Sequence, residues 1–302
     1  MDIPATQAPP PGKINLDHVA HFVPDIDAAG AALEKLGFTL SPFSPQSHRL
    51  QRHGPLVPAG TGNRCVMLKA GYLEFLTPTS DTPVANQLRA AIRRYVGAHL
   101  IAFGTSAPDI DHARLARGGF QPLAPIALQR DIDTPAGRDT ARFTVVRVPP
   151  GSMPEGRIQY CQHHTPDLLW QERWLAHPNG LAELTGVLLC VKDPREAAQR
   201  YGRFTGLAPE ALDTEWRLDT ARGSLSFFGS DACRSHFGVE PPALPWIAGY
   251  VLSTPDIRHT RDYFAARGAT ARRFDQAGWF IELPPQTGGI LVFEPAADKR
   301  GT

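Results

Sequence analysis

The chain has few cysteines: Cys65, Cys161, Cys190 and Cys233 are far apart in 302 residues and form no C-x-x-C pair. That spacing excludes a disulfide framework and a zinc–thiolate site of the usual kind. Three of the four fall in apolar, strand-like runs and read as small core residues. An excess of one charge is also missing. Lys and Arg number 31 against 30 Asp and Glu, for a formal net charge of +1. Nothing electrostatic therefore calls for nucleic acid or an anionic membrane as partner. The densest basic cluster, Arg89, Arg93 and Arg94, has helical spacing and reads as a solvated helix face. No apolar run approaches the roughly 20 residues that a bilayer span requires. The opening "MDIPATQAPPPGK" has no apolar core of a signal peptide and reads as a flexible tail over residues 1–13. The expectation is a soluble, cytoplasmic protein.

What the sequence does contain is a repeat, and its length suits two domains. "VPDIDAAGAALEKLGF" is echoed by "APDIDHARLARGGF", "VKDPREAAQRYGRFTGL" and "TPDIRHTRDYFAARGA", each around one of Asp25, Asp109, Asp193 and Asp256. An apolar run precedes each aspartate: "LDHVAHFV", "HLIAFGT", "LTGVLLCV" and "WIAGYVLS". The aspartate suits a helix N-cap or first turn, and a glycine near the end suits a C-cap. Further strand-like pieces complete each copy, among them "YLEFLTP", "RIQYCQH", "SLSFFG" and "ILVFEP". The unit is β-α-β-β-β, used four times, and the class is α+β. Four units predict two half-open, mixed-sheet barrels. The first spans residues 14–165, with units at 14–82 and 97–165, and the second spans 181–298. Residues 83–96 read as a connecting helix. A linker helix over 166–180 carries Trp170 and Trp174 one turn apart, pinned to a domain surface by packing.

Tandem β-α-β-β-β units with a first strand "LDHV", a last strand "YLEFL", and the segments "GTGNR" and "QHHTPDLLW" resemble the vicinal oxygen chelate superfamily, and within it the glyoxalase-like group. The resemblance covers nearly the whole chain. It implies a divalent metal inside the barrel, with ligands from the first and last strands of paired units. The physical logic agrees, because alternate residues of a strand face one side and can converge. Such a metal holds two adjacent substrate oxygens and stabilises an oxyanion. The superfamily includes isomerases, lyases, dioxygenases, epimerases and drug-sequestering proteins, so the resemblance fixes the fold more narrowly than the substrate.

Seven residues before the four aspartates stand His18, Ala102, Gly186 and Gly249, so the first unit alone keeps a ligand on its first strand. Its last strand offers Glu74. Aligning Thr77-Pro78 with Thr165-Pro166 places Gln162 opposite Glu74, and a one-residue bulge would turn His163 inward instead. The third unit has no ligand in "SLSFFG". The fourth has Glu294, with Val292 at the ligand position. The C-terminal half thus reads as a degenerate copy. His18, Glu74 and His163 would make a set of two imidazoles and a carboxylate suited to Fe(II) or Mn; Gln162 as third ligand would suit Zn or Ni. His99 has the wrong strand parity, and His21 points to the opposite face from His18. Asn63 and Arg64 are candidates to grip a substrate carboxylate, or a turn and a surface residue. His48 and His53 lie in a long loop that suits a lid, with His53 a candidate acid or base beside Glu74. Three functions follow: a metal-dependent lyase or isomerase on a small substrate with vicinal oxygens, a metal-free binding protein for a small aromatic molecule, or an Fe(II) dioxygenase. Exposed sheet edges are expected to pair into a homodimer.

Overall fold

The computed structural model describes residues 3–49 and 55–297. The first unit runs β1 (Asn15–Phe22), α1 (Ile26–Lys35), β2 (Ser44–Arg49), β3 (Leu56–Met67) and β4 (Tyr72–Pro78). Helix α2 (Pro83–Arg94) leads to the second, β5 (Gly97–Gly104), α3 (Pro108–Arg117), β6 (Ile126–Thr134), β7 (Gly137–Arg147) and β8 (Arg157–His163). After the short α4 (Pro166–Leu169), the third unit comprises β9 (Glu183–Val191), α5 (Pro194–Thr205), β10 (Glu210–Ala211), β11 (Trp216–Asp219) and β12 (Ser224–Gly229). Helix α6 (Ser230–Phe237) joins it to β13 (Trp246–Thr254), α7 (Ile257–Ala265), β14 (Arg272–Arg273), β15 (Trp279–Glu282) and β16 (Ile290–Pro295).

The repeated aspartates act as the motif requires in three of the units. Asp25 accepts from the amides of Asp27 and Ala28, Asp193 from Glu196, and Asp256 from Arg258 and His259. Each satisfies N–H groups that a helix start leaves without partners. In the second unit Ala107 takes the cap position without a side-chain bond, and Asp109 falls inside the first turn.

The two halves close differently. In the N-terminal half the order β1-β4-β3-β2-β6-β7-β8-β5 returns to β1, because β1 pairs antiparallel with β5 and β2 meets β6. That is a closed eight-stranded barrel, where the repeat predicts a half-open one. The C-terminal strands β10-β11-β12-β9-β13-β16-β15-β14 form an open sheet whose ends are two-residue strands. The sheets join where Ile247 of β13 meets Ala98 of β5.

The inner faces differ as well. Within the barrel, Ala20, Phe22, Leu76, Leu100, Val145 and Cys161 form an apolar cluster closed off by Leu88 of α2. On the corresponding face of the C-terminal sheet, α6 lays Cys233 and Phe237 against Cys190, Phe228, Trp246 and Val292. That cup is filled by side chains. The strand register puts Ser224 beside Gly186 and Ile290 beside Gly249, so Ser226 and Val292 stand where Glu74 stands in the first unit. None of these four residues carries a side chain that binds metal well. A Cβ at Gly249 would lie 1.8 Å from the carbonyl oxygen of Ile290, far inside contact distance.

Two connecting segments depart from the sequence reading. Residues 3–13, read as a loose tail, dock on the barrel: Gln7 is buried, donating to Lys69 O at 2.9 Å and accepting from Gly71 N at 3.1 Å. The 166–180 linker is one helical turn and a 3-10 turn (Glu172–Trp174), not a continuous helix. Trp170 is nonetheless buried and donates to Leu68 O at 3.1 Å. All four cysteines are buried and free. No helix is long and apolar enough to cross a membrane among the described residues.

A buried ion pair ties the halves together. Arg200 of α5 meets Glu155, in the turn before β8, with bonds of 2.8 and 3.0 Å. Glu155 is 1% exposed. Removing one partner strands the other charge away from water, so Arg200→Met is expected to cost about 3 kcal/mol in urea unfolding. The double variant Arg200→Met/Glu155→Leu should recover most of that loss.

Candidate active site

The site begins with an irregularity in β1. Leu16 pairs with Phe103 and His18 with Ala102, so Asp17 is left without a partner in the β1–β5 ladder. The bulge breaks the alternation that would send neighbouring side chains to opposite faces. Asp17, fully buried, accepts through Oδ2 from His18 Nδ1 at 2.6 Å and from His163 Nε2 at 2.9 Å. A buried carboxylate without such donors would be costly.

His163 comes from the end of β8. Ala102 pairs with Gln159 as His18 pairs with Tyr72, so Cys161, not Gln162, corresponds to Glu74. Alternation then places Arg157, Gln159, Cys161 and His163 on one face. The expected alignment was therefore one residue out, and His163 turns inward without a bulge in β8. Gln162 points away and donates to Ser106 O at 3.3 Å. Around His163 stand Phe143, Trp170 and Tyr72, each edge-on at 5.3, 5.0 and 6.1 Å between ring centres.

Burial alone would lower the basicity of His163; the Asp17 carboxylate, with Cys161 beside it, outweighs burial and raises the pKa to about 10. Burial likewise works to raise the pKa of Asp17, and the two histidines overcome it, holding the group well below the usual carboxylate range. The metal-free cluster is thus a carboxylate bound to a charged imidazole.

A cavity of about 130 Å³ lies inside the barrel, and His18, Asn63 and Glu74 line it. Because Nδ1 of His18 is engaged by Asp17, its other ring nitrogen is Nε2, the atom left for a ligand. Glu74 accepts from Gln46 Nε2 at 3.3 Å and from Asn63 Nδ2, both on Oε1. Asn63 in turn accepts from Arg130 at 2.9 Å, which orients its amide so that NH₂ faces Glu74. Asn63 thus positions a carboxylate of the protein.

Other expected residues lie elsewhere. Arg64, next in the strand and so on the opposite face, binds Glu34 at 2.9 Å and Ser41 O at 3.1 Å over α1. His99 stacks on Tyr95 at 4.0 Å and bonds Tyr95 O, with burial holding its pKa down to about 4. His21 faces away from the cavity and bonds Thr287 O of the C-terminal half, its pKa also lowered by burial to about 4. His53 and the side chain of His48 lie outside the described residues. The sequence reading missed Asp17 and the cavity arginines Arg130, Arg147 and Arg157. Two signals were present: an aspartate next to His18 in a strand that buries all its residues, and Arg157 in phase with Cys161 and His163 along β8.

Asp17, His18 and His163 can together hold a metal ion, with one donor atom from each lying within 4.8 Å of the others. The donor set fits a divalent cation: two imidazoles and a carboxylate suit Fe, Mn, Zn, Co or Ni. Glu74, read from the sequence as a ligand with His18 and His163, is outside this group.

In EDTA-treated protein the raised pKa of His163 makes a signed expectation. Its contribution to stability is full below the ordinary imidazole pKa of about 6.5 and is lost as pH rises through about 10. The melting temperature should fall over that interval, and His163→Gln should flatten the profile. The depressed pKa of Asp17 protects the folded state down to acid pH.

A family model described as "Glyoxalase-like domain" matches residues 16–205. No curated protein sequence matches the chain. Among solved structures, a hypothetical protein from Staphylococcus aureus superposes with a TM-score of 0.63 at 11% identity, covering 94% of this chain and 100% of that one. A triple variant of 4-hydroxymandelate synthase from Streptomyces coelicolor gives 0.54 at 14% identity, covering 96% and 94%. A fusion of a xylose isomerase-like TIM barrel with a 4-hydroxyphenylpyruvate dioxygenase gives 0.56 at 11%, covering 98% of this chain and 51% of the fusion. At such identities the likeness is one of fold. With residues 16–205 of its 302 matched, well over half of its length, the chain belongs to the glyoxalase-like domain family of the vicinal oxygen chelate superfamily.

Proposed function

We propose that the chain is a divalent-metal-dependent enzyme of the lyase or isomerase kind, acting on a small molecule with adjacent oxygens. The observation that carries the proposal is the convergence of Asp17, His18 and His163 beside a cavity that also holds Glu74. These three residues would hold the ion. When bound, the ion polarises substrate oxygens and stabilises the charge that forms on them.

The protein's own groups supply the rest. Glu74 is the candidate base. Both of its hydrogen bonds fall on Oε1, which leaves Oε2 free among the described residues to take a proton from the substrate and return it. The chain Arg130–Asn63–Glu74 keeps that carboxylate in one orientation. Barrel walls formed by Leu76, Leu100 and Val145 exclude water around it.

A second reading has one specific support. Two imidazoles and one carboxylate also suit the Fe(II) centre of an oxygenase. Two fold neighbours, a 4-hydroxymandelate synthase and a fusion carrying a 4-hydroxyphenylpyruvate dioxygenase, are named for aryl hydroxy and keto acids.

The test is elemental analysis of protein purified without a metal-affinity tag. Near-stoichiometric metal is expected, lost in Asp17→Asn and in His163→Ala. Glu74→Gln should retain the metal while turnover, once a substrate is found, drops by about 100-fold or more. Iron as the resident ion would favour the oxygenase reading. No metal after dialysis against Fe(II), Mn, Ni and Zn would sink both and leave a small-molecule binding protein.

A further inference from the structure

Three arginines, Arg130, Arg147 and Arg157, line the barrel cavity with a single glutamate. None forms an ion pair with a carboxylate among the described residues. Arg130 is engaged with Asn63 in orienting Glu74. Arg147 and Arg157 have weaker attachments: Arg147 Nε donates to Gln159 Oε1 at 3.1 Å, and Arg157 Nη2 to Gln87 Oε1 of α2 at 3.3 Å. Both acceptors are neutral amides.

The register explains why these two sit together. Arg147 pairs across the ladder with Gln159, and Arg157 is two residues before Gln159 on the same face of β8. They are diagonal neighbours at the α2 end of the cavity. Two like charges side by side in a partly enclosed space repel each other. Burial lowers the pKa of Arg157 to about 10, and the proximity of Arg147 adds to the effect. Burial likewise lowers that of Arg147. A protein built only for stability would use apolar side chains here, as the C-terminal cup does with Cys233 and Phe237.

We infer that Arg147 and Arg157 form a carboxylate-binding subsite, so that the substrate is an organic acid whose carboxylate lies at the α2 end of the barrel and whose reacting oxygens lie toward His18 and Glu74. Guanidinium groups bind a carboxylate through paired N–H bonds, and an anion between them removes their mutual repulsion. Leu76, Leu100 and Val145 lie along the cavity, so the segment joining the two ends of the acid is apolar. The assignment of the reacting end rests on the proposed function above. The assignment of the carboxylate does not.

Calorimetric titration of EDTA-treated protein tests this without metal or turnover. Benzoate and its neutral isostere benzamide are the probes, with the wild type beside Arg147→Met, Arg157→Met and Arg130→Met. Benzoate is expected to bind at least about tenfold tighter than benzamide, with an affinity that weakens as salt is raised. Arg147→Met and Arg157→Met should each abolish the preference. Their ligand-free melting temperatures should not fall, because each removes a repelling charge. Equal binding of the two probes, or a preference that survives both substitutions, overturns the inference. So does a preference lost only in Arg130→Met, which would place the anion beside Asn63. A preference for benzoate in a protein that never takes up metal would keep the subsite and reject the metal-dependent function.

Discussion

Asp17 between two imidazoles is the interaction on which the rest of the site depends. It joins β1 to β8 over the intervening β5. The side chain of Asp17 passes over β5 beside Ala102 and Gly104, where a Cβ built on Gly104 would be in ordinary contact, 3.5 Å, with it. The position that in the first unit carries His18 therefore carries a methyl group in the second, and the space released is crossed by a carboxylate. What reads in the sequence as a missing ligand on β5 is, in the barrel, the gap through which Asp17 reaches His163. The same carboxylate holds His18 so that its remaining nitrogen is available to the cavity.

The polar cavity described above lies in one half of the molecule. The barrel gathers His18, Glu74, Asn63 and three arginines around a cavity, whereas the inner face of the C-terminal sheet is packed by α6. These are two uses of one motif. Closure by β1–β5 and β2–β6 removes the barrel's edges and shields its polar groups from bulk water, where their interactions would be weak. The open sheet instead supports the barrel through Arg200 and Glu155 and through the large core that spans both halves.

The fold was legible because periodicity carries it. Four apolar runs, each followed by an aspartate and a helical stretch, placed all four first strands and their helices, and the register puts Val292 at the position that Glu74 holds in the first unit. The site was legible only in part. His18 and Glu74 could be placed on the cavity because they fall at matching positions of the first and last strands of their unit, whereas Asn63, read as a loop residue facing substrate, lies in β3 and binds Glu74. Asp17 could not be placed, since the bulge that turns it inward depends on pairing with β5, a contact between segments distant in sequence. His163 and Gln162 differ by a register of one, which the two Thr-Pro pairs misassigned. The arginines carried no motif of their own, and only the pairing of β6, β7 and β8 brings Arg130, Arg147 and Arg157 to one cavity.

Gly249 carries one more consequence. The backbone of Ile290 has moved into the space that a side chain would need, leaving 1.8 Å to any Cβ. Replacing this glycine by histidine would not restore a ligand to the C-terminal half; it would first have to push a paired strand aside. Main chain, and not only the identity of residue 249, therefore keeps a ligand out of that position.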